Sequence, residues 1–150
     1  MFLSNKKTLK NLNIYSNLIE VEGCGFIANS LKVNSTLEFL DIGKNKIRNK
    51  GITNLFEQIC SNPHSALKTL GVRKNSFDDK GIYNLIQILS HQGTNLKSIF
   101  LKDNKINKYN HNNFDLVMKG KGIYVDILEH HWLNDPEYLK SCVMVEGLTS

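Results

Sequence analysis

The densest group of reactive side chains in this 150-residue chain is His130-His131 followed by Trp132, with Cys142 further along. A thiol beside an imidazole can work as nucleophile and base, and either can ligate a metal. Adjacent histidines on an extended segment point in opposite directions, however, and no third group is placed to orient either ring. The three cysteines, Cys24, Cys60 and Cys142, follow no metal-ligand spacing. Gly120-Lys121-Gly122 is too short to cradle a phosphate. These residues predict no catalytic site, no metal and no cofactor, so the chain is expected not to be an enzyme, and the His pair and Trp132 read as part of a terminal cap.

A second set carries the chemistry of binding. Tyr15, Phe39, Asp41, Arg73, Phe100, Lys102 and Tyr124 mix large aromatics with both signs of charge, which is the composition of an interface anchor. They are scattered along the chain. Only a regular repetition of the backbone would gather them on one surface.

Such a repetition exists. Residues 37–51 read L-E-F-L-D-I-G-K-N-K-I-R-N-K-G, with apolar residues at places one, four, six and eleven, Asn at nine and Gly at fifteen. The same places hold Leu9, Leu12, Ile14, Asn17, Ile19 and Gly23 in one copy, and Leu67, Leu70, Val72, Asn75, Phe77 and Gly81 in another. The fourth copy has Leu96, Ile99, Leu101, Asn104 and Ile106, with Asn110 where the glycine should be. First places are separated by 37 − 9 = 28, 67 − 37 = 30 and 96 − 67 = 29 residues, a period that indicates a solenoid.

The pattern resembles the leucine-rich repeats of the ribonuclease-inhibitor type over roughly residues 3–128. The resemblance implies an α/β solenoid: a horseshoe arc with a parallel sheet on its concave face and helices on its convex face. It also implies a recognition array for a protein partner. Arrays of this type occur in inhibitors, in innate immune sensors and in effectors that intracellular bacteria deliver into host cells, and some activate small GTPases.

The residues support the same architecture without the family. Places four and six flank one residue, so they face one side of a short strand while places three, five and seven face the other. The Asn at place nine lies where the chain turns and leaves backbone groups inside the stack. Its amide both donates and accepts, so Asn17, Asn45, Asn75 and Asn104 are expected to form a structural ladder. After each Gly the apolar period lengthens to about 3.6. Cys24, Ile27, Ala28 and Leu31, then Ile52, Leu55, Phe56 and Ile59, then Ile82, Leu85, Ile86 and Leu89 form one face of a helix that packs on the sheet.

On that frame the outward strand places form a grid: Asn11, Asn13 and Tyr15; Phe39, Asp41 and Gly43; Thr69, Gly71 and Arg73; Ser98, Phe100 and Lys102. Tyr124 and Asp126 extend it. Gly43 and Gly71 are expected to leave shallow gaps for a partner's side chains. The turns after the strands carry Lys44, Lys46, Arg48 and Lys50, then Arg73 and Lys74, then Lys102, Lys105 and Lys108, a basic rim that could steer an acidic protein or a phosphate backbone. A net charge of +5 is moderate and the aromatics do not interleave with the lysines, so a protein is preferred over nucleic acid.

Three regions follow. Residues 1–8 read as the tail of a truncated preceding repeat, residues 9–128 as four repeats plus a terminal strand, and residues 129–150 as a C-terminal cap. In the fourth copy the helix is expected to shrink to about residues 113–118, with a fifth strand over Ile123-Tyr124-Val125-Asp126-Ile127 and a final helix over about 136–145, opened by Asp135 and Pro136. The uncapped N-terminal end is a possible site of self-association. There is no signal peptide and no stretch that could span a membrane, so the expected location is cytoplasmic, or a host cell's cytosol for a bacterial effector. The sequon Asn34-Ser35-Thr36 lies in a loop between copies and carries little weight without export.

Overall fold

The computed structural model describes residues 9–126. The predicted cap, with His130, His131, Trp132, Cys142 and the helix over 136–145, lies outside the described residues, as do residues 1–8.

Strand and helix alternate throughout: β1 (Asn11–Asn13), α1 (Glu20–Leu31), β2 (Phe39–Asp41), α2 (Arg48–Ser61), β3 (Thr69–Gly71), α3 (Asp79–His91), β4 (Ser98–Phe100), α4 (Lys108–Gly120) and β5 (Tyr124–Val125). The strands pair in parallel in chain order. Their register puts Leu12 opposite Leu40, Leu40 opposite Leu70, Leu70 opposite Ile99 and Ile99 opposite Val125. Equivalent residues therefore stand in one column, and the fold is a leucine-rich-repeat-like solenoid.

The core lies between sheet and helices. Leu40, Leu70 and Ile99 from the strands meet Ile52, Leu55, Phe56 and Leu85 from the helices, all fully buried. Leu12 and Ile14 are only half-buried, because β1 is the edge of the sheet among the described residues. Glycine at place fifteen clears both its own repeat and the preceding helix: a Cβ on Gly51 would lie 2.8 Å from Ile47 Cβ, and one on Gly81 2.6 Å from Asn49 Oδ1 of α2.

The Asn ladder forms as its chemistry requires. Asn75 Oδ1 accepts from the backbone N–H of Asn45 at 2.9 Å and of Ile47 at 3.4 Å, and Asn104 Oδ1 accepts from Asn75 and Phe77 at 2.8 and 3.4 Å. Asn45 repeats the pattern on Asn17 and Ile19 at 2.7 and 3.3 Å. These turns hold Ser16, Leu18, Lys44, Lys46, Lys74 and Ser76 at positive φ. The residues between them thereby aim their N–H groups at one acceptor, forming a backbone nest that each amide oxygen fills. A second ladder was not read from the sequence: Asn62 donates to Leu31 O and Asn34 O at 2.9 and 2.7 Å. Asn34 is buried at 6% exposure and its Oδ1 accepts from Thr36 and Leu37 N–H at 3.0 and 2.8 Å, so attaching a glycan to its Nδ2 would require this turn to open.

Two expectations are corrected. The fourth helix runs Lys108–Gly120 instead of shrinking to residues 113–118. Its start needs no glycine: the Asn107 side chain accepts from Asn110 N–H at 2.9 Å and also donates to Asp79 of the preceding repeat at 2.9 Å. The fifth strand ends at Val125, and Asp126 leaves the outward grid to become buried at 2% exposure.

Candidate partner-binding surface

The strands' parallel register brings the predicted residues onto one face. Phe39 stands between Asn11 and Thr69, Asp41 between Asn13 and Gly71, and Phe100 beside Gly71. Tyr124 pairs with Ser98 at the far end of the same sheet. Phe39, Asp41, Phe100 and Lys102 are half-buried, whereas Tyr15, Arg73 and Tyr124 are exposed.

Packing on this face leans consistently from each repeat toward the next. Tyr15 lies over Gly43, so that a Cβ there would come within 2.5 Å of its ring. Asp41 lies over Gly71, where a Cβ would meet its carboxylate at 2.9 Å, and its Oδ1 accepts from Gly43 N–H at 2.9 Å. The expected gaps at Gly43 and Gly71 are therefore filled from within: both glycines are buried beneath side chains of the preceding repeat.

The leaning reaches furthest at Arg73. Its guanidinium lies over the Phe100 ring, 4.9 Å from the centroid, and its Nε donates to Asp126 Oδ2 at 2.8 Å. The Tyr124 ring stands 6.0 Å from Phe100, tilted by 60°. Asp126 also accepts from the backbone N–H groups of Leu101 and Lys102 at 2.6 and 3.2 Å. In earlier repeats a strand carbonyl takes that first N–H, as when Val72 donates to Phe100 O at 2.7 Å. The carboxylate thus replaces the sheet's next carbonyl, and its charge is offset by two amides and one guanidinium. Neither this role of Asp126 nor the stacking of Arg73 on Phe100 was legible in the repeat pattern.

The basic rim is present along the turns. Lys44, Lys46, Arg48, Lys50, Lys74 and Lys105 are exposed, while Lys102 and Lys108 are half-buried, the latter with its ammonium 5.3 Å from the Tyr109 ring centroid. On the helical side the first repeat differs from the others. Phe26 is 56% exposed where the next repeats carry Asn54 and Asn84, and Leu18 and Val33 are exposed as well. Asn84 bonds Thr53 of the preceding helix at 3.1 Å, so this helical place faces toward the N-terminal end of the stack.

Burial pushes the Cys24 thiol up to about 12, and the Cys60 thiol to about 11 against a small opposing effect of a Thr94 hydrogen bond, so both stay protonated at neutral pH. His111 occupies the buried helix place held elsewhere by Cys24, Ile52 and Ile82, and among the described residues neither ring nitrogen meets a partner within full hydrogen-bond geometry, the Asp126 backbone being the polar group beside it. Burial lowers its pKa below the usual value; nearby Asp126 opposes that shift and Lys102 adds to it. Among the described residues no three His, Cys, Asp or Glu side chains cluster as ligands for a metal ion. No described helix is long and apolar enough to cross a membrane.

No protein-family model matches this sequence, and no curated protein matches it. Among solved structures, actin-binding site 2 of leiomodin-1 is similar over 97% of this chain and 86% of that one, with a TM-score of 0.71 and 10% sequence identity. At that identity the likeness concerns the fold alone.

Proposed function

We propose that the chain is a protein-binding module that holds its partner against the outward face of the sheet. The observation that carries this reading is the shelf formed by Arg73, Phe100 and Tyr124, where two aromatic rings and a guanidinium stand together beside solvent-facing strands. Fixed aromatic and Arg side chains are the groups that dominate interface energies. The repeat register is the basis for assigning the array to the ribonuclease-inhibitor type within the leucine-rich-repeat-like fold. The module has no enzymatic role in this reading and works in a cytosolic compartment.

Hydrogen exchange on a complex with the partner tests the proposal. Protection is expected at residues 69–73 and 98–102, and protection confined to the helices would overturn it. The leiomodin domain of similar fold is an actin-binding site, so filamentous actin is the first partner to try, by co-sedimentation. Two finer settings come from the repeat type. In one, the module belongs to a secreted bacterial effector, and recovery of the chain in host cytosol after infection by its source organism tests this. In the other, it regulates a small GTPase, and unchanged GTP turnover across a panel of these enzymes would remove that alternative.

A further inference from the structure

Arg73 differs from the other basic residues of the turns in being held in place. Its Nε is committed to Asp126, whose side chain is 3% exposed, while its own side chain is 45% exposed. The Phe100 ring lies beneath the guanidinium, with Cζ 4.9 Å from the ring centroid. Neither Nη group meets an acceptor among the described residues, so the outer edge of the guanidinium remains open as a donor fork.

A guanidinium fork matches a planar oxyanion through two parallel hydrogen bonds. Most exposed arginines lose side-chain freedom when they form such a pair; here stacking and the Asp126 bond have already restricted it, which favours binding. The chemistry of the surroundings completes the specificity. Tyr124, 58% exposed, offers an apolar wall beside Phe100, and Lys102 and Lys74 add positive charge from the adjoining turns. Asp126 spends its carboxylate on the Arg73 Nε and on the Leu101 and Lys102 amides, and Asp41 is turned onto Gly71 and the Gly43 N–H, so neither occupies the outer fork.

We infer that Arg73 is a preoriented receptor for a carboxylate, and that the partner presents an acidic protein segment with an aromatic or aliphatic side chain next to the acid. This rests on the outward sheet face being the docking surface, and adds the partner's chemical class. Asp126 is the positioning residue and Arg73 the contact. A phosphate backbone would satisfy the fork equally well, but the apolar wall beside it favours an apolar side chain on a peptide.

The test uses the full chain, isotope-labelled for NMR, and three probes: the blocked peptide Gly-Glu-Phe-Glu-Gly, the same peptide with Gln for Glu, and a single-stranded oligothymidylate. The acidic peptide is expected to shift the amides of Gly71, Arg73, Phe100 and Tyr124, and to bind at least about fivefold more tightly than the Gln peptide, as a charge-assisted pair requires. R73Q should abolish that difference. R73K, which keeps the charge but loses the planar fork, should weaken acidic-peptide binding, and carries the test if R73Q does not fold. Equal binding of the two peptides at these residues would overturn the acidic class while leaving the sheet-face reading intact. Shifts confined to the helices would overturn both. Tighter binding of the oligothymidylate at Arg73, or unaltered binding by R73K, would overturn the inference as well.

Discussion

The side-chain oxygen of Asn75 stands 2.9 Å from the backbone nitrogen of Asn45, thirty positions earlier in the chain, in fully buried surroundings. Asn75 Nδ2 meanwhile donates to Ile42 O and Arg73 O, each at 3.1 Å. Asn75→Ala would strand donors and acceptors in two turns with no access to water. A loss of about 2–4 kcal/mol is expected, on the order of two uncompensated buried hydrogen bonds. Urea denaturation monitored by circular dichroism checks it, and a loss comparable to that from a surface Asn would show that the ladder is not what joins the turns.

Phe39 and Phe100 are half-buried strand residues, and Phe100 carries the stacked Arg73. Changing either to Ala should cost on the order of 1–2 kcal/mol, about half of what a fully buried ring contributes, and Phe100 also loses an exposed cation–π contact of roughly 0.5–1 kcal/mol. Partner capture should nevertheless weaken clearly in both. Ready unfolding of either variant would mean that its ring serves the core, and the face assignment would fall.

Gly51 and Gly43 should respond differently to the same added methyl group. Gly51→Ala drives a Cβ to 2.8 Å from the Cβ of Ile47, the buried residue that caps the same helix, so a destabilisation of about 1–3 kcal/mol is expected from overpacking. Gly43→Ala meets the Tyr15 ring at 2.5 Å, which can swing into solvent, and Asp41 Oδ1 at 3.1 Å, which must give by only a few tenths of an ångström. Its melting temperature should change little while the Tyr15 ring resonances shift toward free-chain values.

His111 predicts a pH dependence with a definite sign. Burial holds its folded-state pKa below the ordinary 6.5, so the unfolded chain takes up the proton more readily. The corresponding stability is complete above that ordinary value and is lost as pH falls through the lower folded-state pKa. Wild type should therefore lose melting temperature on acidification below 6.5, and His111→Leu should remove that component. A parallel pH profile in the variant would assign the loss to other groups. Leu resembles the residues of the other repeats at this place, so the variant should also be more stable at acid pH.

The exposed Phe26 offers a check on self-association through the first repeat. Light scattering across a concentration series is expected to show association in the wild type that diminishes in Phe26→Asn, which installs the residue found in the next two repeats. A monomer at every concentration would remove self-association as a role of this face.

The sequence by itself determined everything that repeats. Leu12, Leu40, Leu70 and Ile99 were legible as one column, and Asn45, Asn75 and Asn104 as one ladder, because identical places about one period apart must stack if each strand is to bury its apolar side. The outward places were assignable to a face for the same reason. What occupies the space above that face was not, since it depends on side chains crossing between repeats at places the period leaves free. Tyr15 covers Gly43, Asp41 covers Gly71, and Arg73 reaches across Phe100 to Asp126, 53 positions away. Periodicity also extended β5 through Asp126, because alternation predicts which way a residue points only while the ladder continues. Asp126 still donates its backbone N–H to Ile99 O at 3.3 Å, but its carboxylate turns inward onto the Leu101 and Lys102 amides instead of outward with the grid. Only the tertiary structure could decide that choice, because it set the buried amides of one repeat against an acid from the next.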